Sequence, residues 1–316
     1  MRSILAVTDL TRNSDAALSA AAGLAVRTGA ALHVVHSMEI VGMPLWEAVQ
    51  TDVGRRIREA ESTQAEQVRR AVPDGCALAS RALDFQGLCD SVLLRAREAG
   101  ADLVVFGAAD PRTPEGARQV SALEGVAELA DVPCLLVRTP LDPPPRRALL
   151  PLSAAEAGQG VLADACEWLA AAAGPAPAGS PATELLVLHV ASGPREWRDL
   201  AADLDREVRW ASEQPRWRAR VRIRRGIRWS VAADVEILGV AAEQACDLVL
   251  LGPGCGVAGS PDSRKNSRAL LLRRLPCPVL LLPGTLRPDE EGGEPAPEAA
   301  AREEPEPAME VAAAAD

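Results

Sequence analysis

Two glycine-bearing stretches hold the residues of this chain best suited to chemistry. Gly107 closes the run Asp102-Leu103-Val104-Val105-Phe106, and Gly252 closes Asp247-Leu248-Val249-Leu250-Leu251. Glycines after such runs let backbone N–H groups approach phosphate oxygens closely, and a following helix N-terminus adds to the attraction. Downstream of Gly107 stand Asp110, Val120 and Ser121; downstream of Gly252 stand Gly254, Cys255, Gly256, Gly259, Lys265 and Asn266. Lys265 is the only lysine among 316 residues, and with Arg264 it can bring positive charge to an anion. On the other side Asp9, just after the apolar run Ile4–Val7, offers a full carboxylate acceptor, whereas Ser153 falls in its place in the second half.

Other chemistries find no support in the sequence. Gly252–Gly256 is followed by Val257-Ala258 rather than by lysine and a hydroxyl, so no P-loop is formed. His33, His36 and His189 lie near apolar runs without a G-x-S-x-G elbow or a metal-type H-x-x-E-H pattern, which reads as core or sheet-end histidines. The seven cysteines show neither C-x-x-C pairing nor histidine at metal-ligand spacing. Four of them, at 134, 166, 246 and 277, sit in or beside apolar runs as small hydrophobes; Cys255, in a glycine-rich loop, stands apart. No catalytic set and no metal site is expected.

The elements that must position these residues alternate in type. Strands are expected at Ile4–Val7, 31–36, 76–84, 102–107 and 134–138. Helices are expected from Asn13 or Ser14, as N-cap, to Thr28 with Gly29 as stop, and at 44–72, 88–99 and 121–130. After a proline-rich linker the cycle restarts, with strands at 148–151, 185–190, 216–225, 247–252 and 279–282 and helices at 156–173, 195–212 and 231–244. Such alternation requires crossover connections and a parallel sheet covered on both faces. The 102–107 and 247–252 stretches, and Pro133-Cys134 and Pro278-Val279 after them, are offset by the same 145 positions, so the chain is a duplication.

A first strand ending in Asp, a Leu-His-Val second strand, a fourth strand running into Gly and a Pro-led fifth strand, in order and twice, resemble the universal stress protein family. The resemblance implies a doubly wound, five-stranded α/β unit of the adenine nucleotide alpha-hydrolase-like type at 1–140, a linker at 141–147 and a degenerate second unit at 148–284. It also implies fifth strands paired antiparallel across a pseudo-twofold axis, giving an intramolecular pseudo-dimer that stays monomeric or forms a homodimer. For nucleotide-binding members it implies adenine contacts at Asp9 and Val34, and at Val190 in the second copy, with phosphate contacts from a G-x2-G-x9-G-[ST] loop. On that loop Gly107 and Ser121 match in the first copy, with Asp110 and Val120 replacing two glycines. In the second copy Gly252 matches, Cys255, Lys265 and Asn266 replace the rest, and Gly254 and Gly256 lie off register. Each copy thus keeps part of a site.

Composition and charge limit the remaining readings. The chain is 48% hydrophobic and 25% charged, as in soluble globular proteins, and no run is long and apolar enough to span a membrane, so the cytoplasm is the expected compartment. Residues 286–316 carry ten acidic groups against two arginines, so most of the net charge of −10 belongs to a tail at 285–316 that is expected to be disordered. Arg216-Trp217-Arg218-Ala219-Arg220-Val221-Arg222-Ile223-Arg224-Arg225 alternates arginine with apolar residues, placing guanidinium groups on one face of an edge strand. Such a row blunts the edge, or serves an acidic partner or the acidic tail; nucleic acid is disfavoured by the nearly neutral body. The expected function is that of a tandem universal stress protein: a non-catalytic stress-response or regulatory protein with at most partial binding of ATP or AMP and no cofactor beyond it. Alternatives are a nucleotide-independent scaffold for a protein partner and, last, a nucleotide-hydrolysing enzyme.

Overall fold

The computed structural model describes residues 1–38, 53–107, 113–141, 144–153, 156, 160–175, 182–191, 194–255, 257 and 261–283. In the first half the elements are β1 (Ser3–Val7), α1 (Asn13–Thr28), β2 (Ala31–Ser37), α2 (Val53–Ala71), β3 (Leu78–Asp84), α3 (Leu88–Ala99), β4 (Leu103–Gly107), α4 (Pro114–Leu129) and β5 (Cys134–Val137). The second half repeats the order with β6 (Arg147–Pro151), α5 (Val161–Ala173), β7 (Thr183–Ala191), α6 (Pro194–Glu213), β8 (Val221–Trp229), α7 (Ala233–Glu243), β9 (Leu248–Leu251), α8 (Pro261–Arg274) and β10 (Val279–Leu281).

Among the described residues ten strands form one sheet in the order β3-β2-β1-β4-β5-β10-β9-β6-β7-β8. Each half is parallel throughout, and the halves join where β10 runs antiparallel to β5, with Leu280 opposite Leu135. The fifth strands pair as expected. Strand alternation then sorts the apolar side chains by sheet face rather than by repeat. Ile4, Ala6, Leu150 and Leu280 pack with α1 and α5 on one face; Leu5, Leu149, Leu251 and Leu281 pack with α3, α4, α7 and α8 on the other. Both cores therefore run across the β5–β10 seam, and residues 1–285 make one compact unit.

A repeated aspartate fixes the start of each half. Asp102 accepts hydrogen bonds from the amides of Arg2 and Ser3, and Asp247 accepts them from Arg146 and Arg147 at 2.8 and 3.0 Å. Each aspartate stands just before its strand and satisfies two amides of the neighbouring first strand, which have no other partner at a sheet end.

Several boundaries differ from expectation. Helix α1 is preceded by Arg12, with no side-chain cap, and stops at Gly29, whose φ of 72° suits glycine and whose N–H bonds to Ala25 O. Helix α4 begins at Pro114 instead of 121, because Thr113 caps it through a bond from Gly116 N at 3.1 Å and proline favours the first turn. Helix α5 begins at Val161 rather than 156, after Gly160 in a left-handed conformation. Strand β8 covers 221–229, not 216–225. Trp217 instead turns inward, 2% exposed, bonding Ala211 O at 2.7 Å and meeting Trp210 edge-on at 6.2 Å. The expected helix start at 44, Asp110, Gly256, Gly259 and the tail lie outside the described residues.

Candidate functional site

In the first half the residues at the C-terminal ends of β1, β2 and β4 surround a cleft of about 680 Å³ that includes Asp9, His36, Ser37, Gly107, Gln119 and Ser121. Its floor is the first turn of α3, from Gly87 to Asp90. Asp9 sits in the turn between β1 and α1, where Leu10 adopts a positive φ of 62°. Its Oδ1 accepts from Thr11 N at 2.8 Å, Thr11 Oγ1 at 2.7 Å and Ser14 Oγ at 2.5 Å, and its Oδ2 accepts from Gln119 Nε2 at 2.9 Å. Burial pushes this carboxyl up, but the bonds from Ser14, Thr11 and Gln119 outweigh it and hold the pKa below the usual value. Asp9 is thus ionised and already partnered by its own chain.

Gly107 has a packing reason independent of any ligand. A Cβ at this position would lie 2.8 Å from Ser14 Cα and 2.9 Å from Ser14 Oγ, so the start of α1 can lie against the end of β4 only if residue 107 lacks a side chain. Ser121 lines the cleft, but well inside α4, beyond the first turn, so its amide is not one of the unsatisfied N–H groups of a helix N-terminus. Gln119, which sequence reasoning passed over, is 4% exposed and reaches Asp9 because the early start of α4 turns it inward.

Strand register corrects the pairing of the repeats. Thr8 N bonds Val35 O, and Leu152 N bonds Leu188 O, so His36 corresponds to His189 and Ser37 to Val190. Both histidines confirm it: His36 Nδ1 lies 2.8 Å from Thr8 O, and His189 Nδ1 lies 2.8 Å from Leu152 O. Val34 corresponds instead to Val187 and is buried in the α1-side core rather than in the cleft. The second strands are offset by 153 positions; the repeated Leu-His-Val letters at 32–34 and 188–190 are out of structural register.

The second half sets a carboxylate of its own at the equivalent place. Ser153 stands where Asp9 stands, but Glu156, 2% exposed, supplies the negative charge three residues later. Its Oε2 accepts from Ser153 N at 3.0 Å and Ser153 Oγ at 2.6 Å, and its Oε1 accepts from Gly254 N at 2.8 Å. A Cβ on Gly252 would overlap Glu156 Oε1, and one on Gly254 would lie 2.9 Å from Glu156 Cδ. The glycines of this loop admit a protein carboxylate where an external anion would otherwise meet the amides. Cys255 takes a positive φ of 56° at the position of a family glycine, and burial pushes its thiol up to about 12. Five of the seven cysteines are buried, and all seven are free.

Lys265 and Asn266 are exposed on α8. Lys265 Nζ lies 3.6 Å from Glu128 Oε1 of α4, and Arg268 lies 2.8 Å from the same carboxylate and 3.6 Å from Glu124. These cations serve the seam between the halves, where α4 and α8 meet. Among the described residues no cluster of His, Cys, Asp or Glu could hold a metal ion, and no helix is long and apolar enough to cross a membrane. Of the arginines on β8, Arg225 pairs with Asp205 and Arg228 lies 3.5 Å from Glu236 and from Glu243.

Residues 1–138 match the universal stress protein family. A universal stress protein from Archaeoglobus fulgidus DSM 4304 has a similar structure, with a TM-score of 0.60 and 15% identity over 89% of this chain and 96% of that one. A putative universal stress protein from Pseudomonas aeruginosa UCBPP-PA14 gives a TM-score of 0.53 and 15% identity over 90% of this chain and 93% of that one. At that identity the likeness is one of fold, and it extends over both halves. No curated protein matches the sequence.

Proposed function

Since residues 1–138 match the universal stress protein family, we propose that the chain is a non-catalytic regulatory binding protein with one working ligand cleft. The cleft is the one at Asp9, and its ligand is an adenine nucleotide, ATP or AMP. The second half acts as a closed partner that completes the sheet. The observation carrying this reading is the contrast between an open cleft of about 680 Å³ around Asp9 and a buried Glu156 bonded to Gly254 N in the equivalent place.

An adenine amino group donating to Asp9 Oδ2 would compete with the amide of Gln119, which already donates there at 2.9 Å. Ligand binding is thereby set against an internal bond. Binding without turnover fits the groups present: His36 Nδ1 is bonded to Thr8 O, and Cys89 on the cleft floor has its thiol pKa raised by burial and by Asp90. Seven free cysteines suit a reducing compartment such as the cytoplasm.

Equilibrium dialysis with ATP, ADP and AMP tests the reading. Asp9→Ala should abolish binding, and Gln119→Ala should tighten it by roughly threefold to tenfold, the value of one released hydrogen bond. Failure of the wild-type protein to retain any nucleotide at millimolar concentration would leave the scaffold function instead. Release of ADP from ATP by the wild type and not by Asp9→Ala would show an enzyme.

A further inference from the structure

A second cleft lies at the N-terminal ends of the second half's strands, and nothing in the Asp9 reading uses it. It has a volume of about 790 Å³ and is walled by the linker prolines and by Arg27, Arg146, Arg147, Arg222, Glu184 and Asp247. These residues gather because the N-terminal ends of β6, β7, β8 and β9 lie side by side. Arg147 is in register with Glu184, Glu184 with Arg222, and Asp247 N bonds Arg147 O at 3.0 Å. Arg27 arrives from the last turn of α1 in the other half.

The charges in this cleft do not cancel. Asp247 is committed to the amides of Arg146 and Arg147, and Arg147 Nη1 donates to Gln244 O at 3.2 Å. By contrast Arg70, Arg95, Arg216, Arg225 and Arg268 each have a carboxylate partner elsewhere in the molecule. Among the described residues no side-chain hydrogen bond or ion pair engages Arg27, Arg146 or Arg222, and Arg27 Nε is shut off from solvent with no acceptor. A doubly charged oxyanion can take bonds from several guanidinium groups at once.

The walls are set without a ligand. Gly174 lies so close to Arg27 that a Cβ there would overlap Arg27 O, Arg220 donates to Gly174 O, and Thr183 Oγ1 donates to Pro145 O at 2.6 Å. A site whose backbone is already held in place loses less ordering entropy on binding.

We propose that this arginine-lined cleft is a binding site for a small phosphate-bearing anion, a phosphate ester or a condensed phosphate, distinct from the cleft at Asp9. Phosphate is favoured because three uncommitted guanidinium groups meet around one cleft, matching its charge and its several acceptor oxygens. The volume leaves room for an organic group attached to the phosphate. Because Arg27 belongs to one half and Arg222 to the other, the anion ties the halves together.

Calorimetric titration of the full chain with pyrophosphate tests the proposal. Arg146 and Arg222 are exposed, so Arg146→Gln and Arg222→Gln should fold, and each should weaken pyrophosphate binding by about tenfold or more. Asp9→Ala should leave it unchanged. Absence of pyrophosphate binding at millimolar concentration, affinity untouched by both arginine changes, or loss of binding in Asp9→Ala would each overturn the proposal. The last result would send the anion to the first cleft, so failure here and failure of the nucleotide reading remain separable.

Discussion

Asp9 and Glu156 are corresponding charges with opposite prospects. Asp9 faces a cleft, while Glu156 is enclosed by Ser153 and the amide of Gly254. Removing Glu156 leaves those buried donors without an acceptor. Glu156→Ala should therefore cost about 2–4 kcal/mol in denaturant unfolding, and Glu156→Gln, which keeps an oxygen, should cost less. A small effect of the alanine change would mean that the loop rearranges or that water replaces the carboxylate. Asp9 gives a pH signature of known sign. Its folded pKa lies below the ordinary 3.8, so its stabilising contribution is present above the unfolded value and is lost as pH falls through the folded one. Melting temperatures between about pH 5 and pH 2 should fall less steeply for Asp9→Asn than for the wild type; parallel curves would contradict this.

At the scale of elements, the start of α4 decides the character of the first cleft. Thr113 and Pro114 begin the helix early, which carries Ser121 past the first turn and delivers Gln119 to Asp9. The same helix meets α8 through Arg268, Glu124 and Glu128. Burial raises the pKa of Glu124, and Arg268 opposes that rise. Arg268→Ala should destabilise the protein by about 1–3 kcal/mol near neutral pH, because it leaves a half-buried carboxylate unpaired. With a folded pKa above the unfolded one, Glu124 costs stability as pH rises through the folded value, so the penalty should shrink at pH 4 when the carboxyl is protonated. Unfolding titrations of both proteins at the two pH values measure it, and an equal penalty at both would remove Glu124 from the explanation.

The described residues form a single ten-stranded sheet with a core on each face, one core crossing the seam at Leu135 and Leu280 and the other at Leu136 and Val279. Neither half can lose its fifth strand without exposing the other's. Calorimetry of the full chain should therefore show one cooperative transition, and Leu280→Ala should lower it as a unit, by about 2–5 kcal/mol at the midpoint. Two resolved transitions would show that the halves unfold separately. A short linker from 141 makes the pairing intramolecular, so its stability does not depend on protein concentration in the way a two-chain dimer's would.

The sequence by itself determined the duplication, the order of strands and helices and the glycines at 107 and 252, because each follows from local periodicity, breakers and a repeated spacing; the antiparallel seam was implied only by the family resemblance. It also located Asp9. Which groups meet was decided only in three dimensions. The matching letters of the second strands concealed a register difference that hydrogen bonding to Thr8 and Leu152 resolves, replacing Val34 by Ser37 at the cleft. Glu156 read as the start of a helix and proved to be the anion of its own loop. Arg27, Arg146 and Arg222 are far apart in the chain and share a cleft only because parallel strands align their starts and α1 ends beside α5. Periodicity records how each segment buries its own face; the partners of a polar group depend on long-range packing, which no local pattern contains.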